Sequence, residues 1–341
     1  MQGQIQRNCC DCRHYYFSSA LNIHFNSSHD ITDSMQDIIN FNRQTLSTVE
    51  QWILREDWAM PPSLFNYGLP AHVFDLIDKP IDYNVTEVDH LCHIMQTLAA
   101  CSTDGLDQTK QTKPIRYLEI GVSVGKNLYT MTRFVQDFIA KSKTNKNKHV
   151  ITGIDIEKIN PMLCNLLEKS HGSFKVESFP NGNSSNSKNT SNSNTSIRKN
   201  PLNFSNAFFD DVLLTTYYEA DEFSDVWSTL DKESPFNLVF SDALHEPRAL
   251  LHEYASLKEN NLLDVSGGFF YCFDDLEADE NTGSMWGAVH NIVADIKATY
   301  GTKLEVNMQH LEMNAWLGQH EGKHHFGVIK AFPRLLARKI L

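Results

Sequence analysis

Ile115-Arg-Tyr-Leu-Glu-Ile-Gly-Val-Ser-Val-Gly-Lys126 is the stretch that decides the fold. Residues 115–120 form a β-branched, aromatic run that ends in Gly121, which reads as a strand running into a tight turn. Leu128, Met131, Phe134, Val135 and Phe138 then recur at helical spacing over 126–140. Working outward, the same rhythm repeats. His149–Ile156 reads as a second strand, and Pro161–Lys169 as a helix with Pro161 in its first turn. Ser173–Phe179 and Leu202–Phe209 compete for the third strand. Phe236–Phe240 and Phe269–Phe273 are strands, and 246–260 and Met285–Tyr300 are helices. Lys303–Met308 and His325–Phe332 are the last two strands. Such alternation predicts an α/β domain with a largely parallel sheet covered on both faces. Ligands of such sheets bind outside the carboxyl ends of the strands.

The chain has 341 residues, and 30 basic side chains against 42 acidic ones give a formal net charge of -12. That balance speaks against a nucleic-acid partner, because no broad positive field is present. No apolar run approaches the ~20 residues that span a bilayer. The first residues lack an apolar signal core, so a cytoplasmic protein is expected. Seven cysteines, an odd number, read as reduced and mostly buried thiols.

Residues 1–30 read as a flexible tail, 31–112 as a helical extension and 113–335 as the main domain. In the extension, 31–60 and 86–101 are amphipathic, with Val88, Leu91, Met95 and Leu98 on one face of the second helix. These helices would cover the sheet edge, cap the pocket or mediate self-association. Within the main domain, 181–200 is almost entirely Asn, Ser, Thr and Lys. Such a tract buries too little apolar surface to offset the entropy of ordering, and it is expected to be a disordered insertion.

Three polar clusters fall at predicted strand ends. In the first, Gly121 permits a sharp turn and Gly125 a tight helix entry. Glu119 repels a phosphate and suits an amine-bearing cation, although a purely structural turn is the rival reading. The spacing lacks the third glycine of a dinucleotide fingerprint, and Asn127 follows Gly125-Lys126 where a P-loop needs Ser or Thr. In the second, Asp155 ends its strand where a carboxylate can hold both hydroxyls of a ribose. It could equally cap the next helix. In the third, Asp242, Asp274 and Asp275 end neighbouring strands, which lie about 4.8 Å apart. Three carboxylates with no thiolate suit a hard divalent ion such as Mg²⁺. Caps and turns are the alternative. His245 could take a proton from an acceptor hydroxyl, serve as a fourth ligand or face solvent. Farther on, Trp316 and His320 sit in a loop that would overhang the acceptor pocket, and 277–284 is either a lid or a solvated loop.

The Glu-x-Gly-x-x-x-Gly turn and the acidic end of the second strand resemble class I S-adenosylmethionine-dependent methyltransferases, over roughly residues 85–332. The resemblance implies a Rossmann-like, three-layer, seven-stranded sheet with an antiparallel last strand. It also implies cofactor contacts from Glu119, Gly121, Ser123, Gly125, Asp155 and Asp242. The interval from Glu119 to Asp155 is longer than usual, and the basic loop 141–148 would absorb it. The Asp-x-x-His and Asp-Asp pair is similar to metal-dependent O-methyltransferases of the macrocin and catechol types. That implies Asp242, Asp274 and Asp275 as Mg²⁺ ligands and His245 as the base, acting on a small-molecule sugar or phenol diol. A metal-independent N- or protein-directed methyltransferase, or a non-catalytic binding protein of the same fold, is the alternative.

Overall fold

A computed structural model describes residues 37–38, 40–42, 44–45, 87–100, 113–123, 125–141, 147–170, 172–179, 196–198, 212–281, 283–314, 323–334 and 337. The expected tail at 1–30 with Cys9, Cys10 and Cys12, most of 31–60, and the loop of Trp316 and His320 lie outside these residues.

Among the described residues, the helices that cover the sheet are α1 Glu87–Ala100, α2 Lys126–Lys141, α3 Pro161–Lys169, α4 Pro247–Glu259 and α5 Ser284–Tyr300. The strands are β1 Arg116–Ile120, β2 His149–Asp155, β3 Ser173–Ser178, β4 Ser196–Arg198, β5 Leu213–Glu219, β6 Leu238–Ser241, β7 Phe269–Phe273, β8 Leu304–Asn314 and β9 Lys323–Pro333. Among the described residues they make one sheet in the order β4-β3-β5-β2-β1-β6-β7-β9-β8. The strands from β3 to β7 are mutually parallel, β4 is antiparallel to β3, and β9 is antiparallel to both β7 and β8.

The architecture is the expected three-layer α/β one with an antiparallel last strand, but among the described residues the sheet has nine strands, not seven. Ser173–Ser178 is a strand, as one of the two competing readings had it. The strand beside β2, however, is Leu213–Glu219, which the sequence reading passed over. Ser196–Arg198, inside the tract expected to lack structure, pairs with β3. A backbone ladder needs no apolar side chains, so composition could not reveal it. The rest of that tract lies outside the described residues.

Strand side chains alternate between two cores, as the pleat requires. Tyr117, Phe240, Phe270 and Cys272 face the side covered by α1, α2 and α3. Leu118, Val239, Phe269, Tyr271 and Phe273 face the side covered by α4 and α5. Helix α1 buries the apolar face its sequence advertises: Val88, Leu91, Met95 and Leu98 are all within the first core. Each such side chain contributes roughly 1.5–3 kcal/mol of burial free energy, so α1 belongs to the domain core instead of sitting at its margin. Asn42 reaches it through a 2.7 Å hydrogen bond to Asp89, and Phe41 packs edge-on against Phe134 of α2. Cys92 and Cys272 are buried free thiols, as expected. No helix among the described residues is long and apolar enough to cross a membrane.

The chain reverses direction across the sheet at β1: β2 lies on one side of it and β6 on the other. Register places Ile120 opposite both Ile154 and Ser241, and Ser241 opposite Phe273. The residues that follow these four ends therefore line up along one carboxyl edge, about 14 Å from β2 to β7.

Candidate functional site

The β1–α2 turn is built from backbone. Gly121 has φ +84°, and a side chain there would place a Cβ 2.2 Å from the Asp242 carbonyl oxygen and 2.5 Å from Ala243 Cα. Only glycine allows the first turn to touch the loop after β6. The Gly121 N–H donates to Ile154 O at 2.9 Å, and the Asp242 N–H donates to Ile120 O at 2.8 Å. Three strand ends are thus stitched together. Ser123 also adopts the left-handed region, at φ 52°.

Asp155 fixes this turn. Its Oδ2 accepts the Val122 and Ser123 N–H groups at 2.8 and 2.6 Å, and its Oδ1 accepts the Glu157 N–H at 2.8 Å. The cap expected of it serves the β1 turn and its own loop, since α3 begins only at Pro161. Burial pushes its pKa up, and the three backbone donors pull it back part of the way. A carboxylate offers about four acceptor sites, so one is left for a further donor. Glu119 is buried, with Oε2 accepting the Tyr117 hydroxyl at 2.9 Å. Gly125, at φ +85°, packs against Leu163 of α3.

At the other half of the edge, Asp242, His245 and Asp275 offer ligand atoms that lie within 4.8 Å of one another. His245 bridges the two carboxylates, with Nε2 at 3.4 Å from Asp242 Oδ1 and Nδ1 at 3.3 Å from Asp275 Oδ2. Asp275 reaches the imidazole from a left-handed backbone, φ 51°. Asp274 was expected in the same set but stands outside it: it is buried, its N–H donates to Ser241 O at 3.0 Å, and it acts on Asp242 and His245 through its charge. The hydrogen bond that His245 donates to Asp242 raises the imidazole to about 9 against the opposing effect of burial, and the charges of the three aspartates add to the rise. Asp242 is itself raised, first by burial and then by the neighbouring Asp274 and Asp275.

In the segment expected to be a lid or a solvated loop, Glu277 is bonded to the start of α5. Glu277 Oε1 accepts the Met285 N–H at 2.9 Å and the Ser284 hydroxyl at 3.0 Å, and the Trp286 indole donates to Glu277 O at 2.7 Å. Gly283 makes room for it, because a Cβ there would sit 2.5 Å from Glu277 Oε2.

The sequence reading missed the rim beside β5. Ile156 and Phe223 follow the adjacent strands β2 and β5 and are 61% and 44% exposed, which makes them the two most exposed large apolar side chains among the described residues. The Phe223 ring packs on His252 at 4.8 Å, with Arg248 5.9 Å from its centroid. The signal was present in Leu-Leu-Thr-Thr-Tyr-Tyr-Glu219 followed by Ala-Asp-Glu-Phe223.

No family model matches the chain, and no curated protein matches it. Among solved structures it is similar to an O-methyltransferase from Bacillus cereus in complex with SAH, at 12% identity and TM-score 0.41, over 83% of this chain and 96% of that one. It is also similar to the O-methyltransferase TomG from Streptomyces achromogenes in complex with SAM, at 12% identity and TM-score 0.40, over 84% and 96%. A putative O-methyltransferase from Klebsiella pneumoniae gives 12% and 0.38, over 85% and 98%. Likeness this loose has no bearing on the chemistry, which rests on the side chains themselves.

Proposed function

We propose that this chain is an S-adenosylmethionine-dependent methyltransferase that methylates a hydroxyl of a small-molecule diol, a sugar or a phenol, with help from a divalent cation such as Mg²⁺. The observation that carries the reading is the meeting of Asp242 and Asp275 on His245, one loop away from the Gly121 turn.

The residues present fit both groups. For the donor, Glu119 lies under the turn, Asp155 keeps one acceptor site at the strand end, and Ile156 and Phe223 offer apolar faces to a flat base. S-adenosylmethionine supplies an electrophilic methyl on a sulfonium. For the cation, the Asp242 and Asp275 carboxylates converge beside His245, and a third carboxylate, Asp274, adds charge from behind. Oxygen-rich donors of this kind suit a hard ion, which lowers a hydroxyl's pKa and fixes its direction.

His245 is the base. Without a cation it serves as counter-charge to two aspartates and is held protonated. Relieved of that duty, it accepts the acceptor hydroxyl's proton at one ring nitrogen while the other stays on a carboxylate. Such a base contributes about 10²–10⁴-fold. The remaining acceleration comes from alignment along the carboxyl edge.

A metal-free reading has one observation in its favour: protonated His245 already satisfies Asp242 and Asp275 by itself. Labelled S-adenosylmethionine incubated with catechols and nucleotide sugars, with Mg²⁺ or with excess EDTA, separates the two. Transfer is expected to need the divalent ion and to vanish in Asp242→Asn. Transfer that survives both changes refutes the cation, and failure to bind S-adenosylhomocysteine in calorimetry refutes the donor.

A further inference from the structure

On the sheet face covered by α4 and α5, two carboxyl groups meet that the chemistry above leaves unused. Glu253 of α4 is fully enclosed, and Glu222, in the segment that follows β5, is nearly so. Each lies within hydrogen-bonding reach of the other. Tyr271 of β7 donates its hydroxyl to Glu253 Oε2 at 3.1 Å, and Ser241 at the end of β6 lies close enough to favour the ionised Glu253. Glu253 Oε1 and Glu222 Oε2 are buried and find no donor among the described groups.

Two ionised carboxylates in contact would repel by about 4 kcal/mol even at an effective dielectric of 20. One of the pair must keep a proton and donate it to the other. The surroundings offer little else. Asp221 and Asp155 add negative charge on the Glu222 side, and Tyr254 lies beyond Tyr271. Arg248 acts on Glu222 from the surface, where its guanidinium is bonded to Glu246 at 2.6 Å.

The segment that carries Glu222 is continuous with the proposed donor site. The Ala220 N–H donates to Asp155 O at 2.7 Å, the Trp227 indole donates to Glu222 O at 2.6 Å, and Phe223 follows at the rim. We propose that Glu222 and Glu253 are positioning residues: one proton shared between them holds residues 220–224 against α4 and keeps the Asp155 end of the methyl-donor pocket in shape. This rests on the donor reading above. Burial raises both carboxyls; the Glu222 charge raises Glu253 further, while Asp221 and Asp155 raise Glu222 against the bond to Glu253 that lowers it. The bridge is therefore intact below the pair's folded titration, which lies above the ordinary carboxylate range, and is lost as pH rises through it.

The test is S-adenosylhomocysteine affinity by calorimetry from about pH 6.5 to about 9.5, for the native protein and for E222Q/E253Q, whose amides bond each other without a shared proton. The native Kd is expected to rise about tenfold per pH unit above the pair's titration. The double variant is expected to bind equally well below the pair's titration and to lose that limb. His245 is common to both proteins, so its own titration cancels in the comparison. A flat native profile, or a limb that persists in the variant, overturns the proposal. Hydrogen exchange over 220–229 supplies a readout that needs no ligand. Opening beyond the chemical pH trend is expected in the native protein alone, and unchanged protection there overturns the bridge. If S-adenosylhomocysteine fails to bind at every pH, the donor reading falls, while exchange still decides on the bridge. If the double variant does not fold, the native profile and E222Q alone decide.

Discussion

Asp275 carries the clearest local cost in the site. A non-glycine residue at φ 51° gives up roughly 1–2 kcal/mol against ordinary backbone, and the return is a carboxylate aimed at His245. Asp275→Gly relieves the backbone and removes the charge. Its urea midpoint is expected to stay level or rise, because glycine's extra chain entropy of roughly 0.5–1 kcal/mol is smaller than the strain, while divalent-dependent turnover collapses. A midpoint that falls by more than about 1 kcal/mol equivalent would mean that the carboxylate is structural. Asp242, Asp275 and His245 were each legible as candidates, since all follow strong strand runs. What the residues could not reveal is the division among three aspartates. Successive residues leave a strand end in different directions, so Asp274 turns inward and Asp275 outward only once the left-handed kink is known. In the same way, Asp155 read as a ribose acceptor or a helix cap, whereas two of its three backbone partners, Val122 and Ser123, belong to a turn over thirty positions away in sequence.

At the scale of elements, α5 depends on a residue outside it. Gly283 at its N-cap supplies no side-chain bond, and Glu277 takes the Met285 N–H from across the loop. Glu277→Ala is expected to lower unfolding free energy by about 1 kcal/mol, the usual cost of losing a cap, measured by urea denaturation. An unchanged midpoint would show that the loop carries α5 without it. Most elements were readable because a buried parallel strand is a short apolar run with sharp ends: β1, β7 and α3 stand within a residue of their expected limits. The exception, β5, is instructive. Leu213–Glu219 is covered on both faces and has no glycine or proline before it, so neither alternation nor punctuation marks its start. With that strand missed, the rim at Asp221, Glu222 and Phe223 was missed as well.

At the scale of the whole molecule, acid stability is set by histidines buried without charge. Burial lowers His90 to about 3 and His149 to about 4, and His149 Nδ1 accepts the Ile115 N–H at 3.1 Å. Both folded values lie under the unfolded one near 6.5, so the unfolded chain takes up protons first as pH falls. Stability is full above that value and is lost toward the folded ones. Between pH 7 and pH 5 the loss is expected to be about 1–2 kcal/mol per histidine, and His149→Gln should make the slope of urea-derived stability against pH shallower. A slope equal to that of the native protein would count against it.

The contact between Gly121 and the Asp242 carbonyl bears on how such a protein can diverge. Because main chain rests on main chain there, the spacing between the first turn and the loop after β6 is a fixed gauge that no exchange of side groups can widen, and on the proposed reading it sets the gap between giver and recipient. A lineage could redecorate the mouth of the cleft and change its clientele many times over, and the length of the stroke would stay the same.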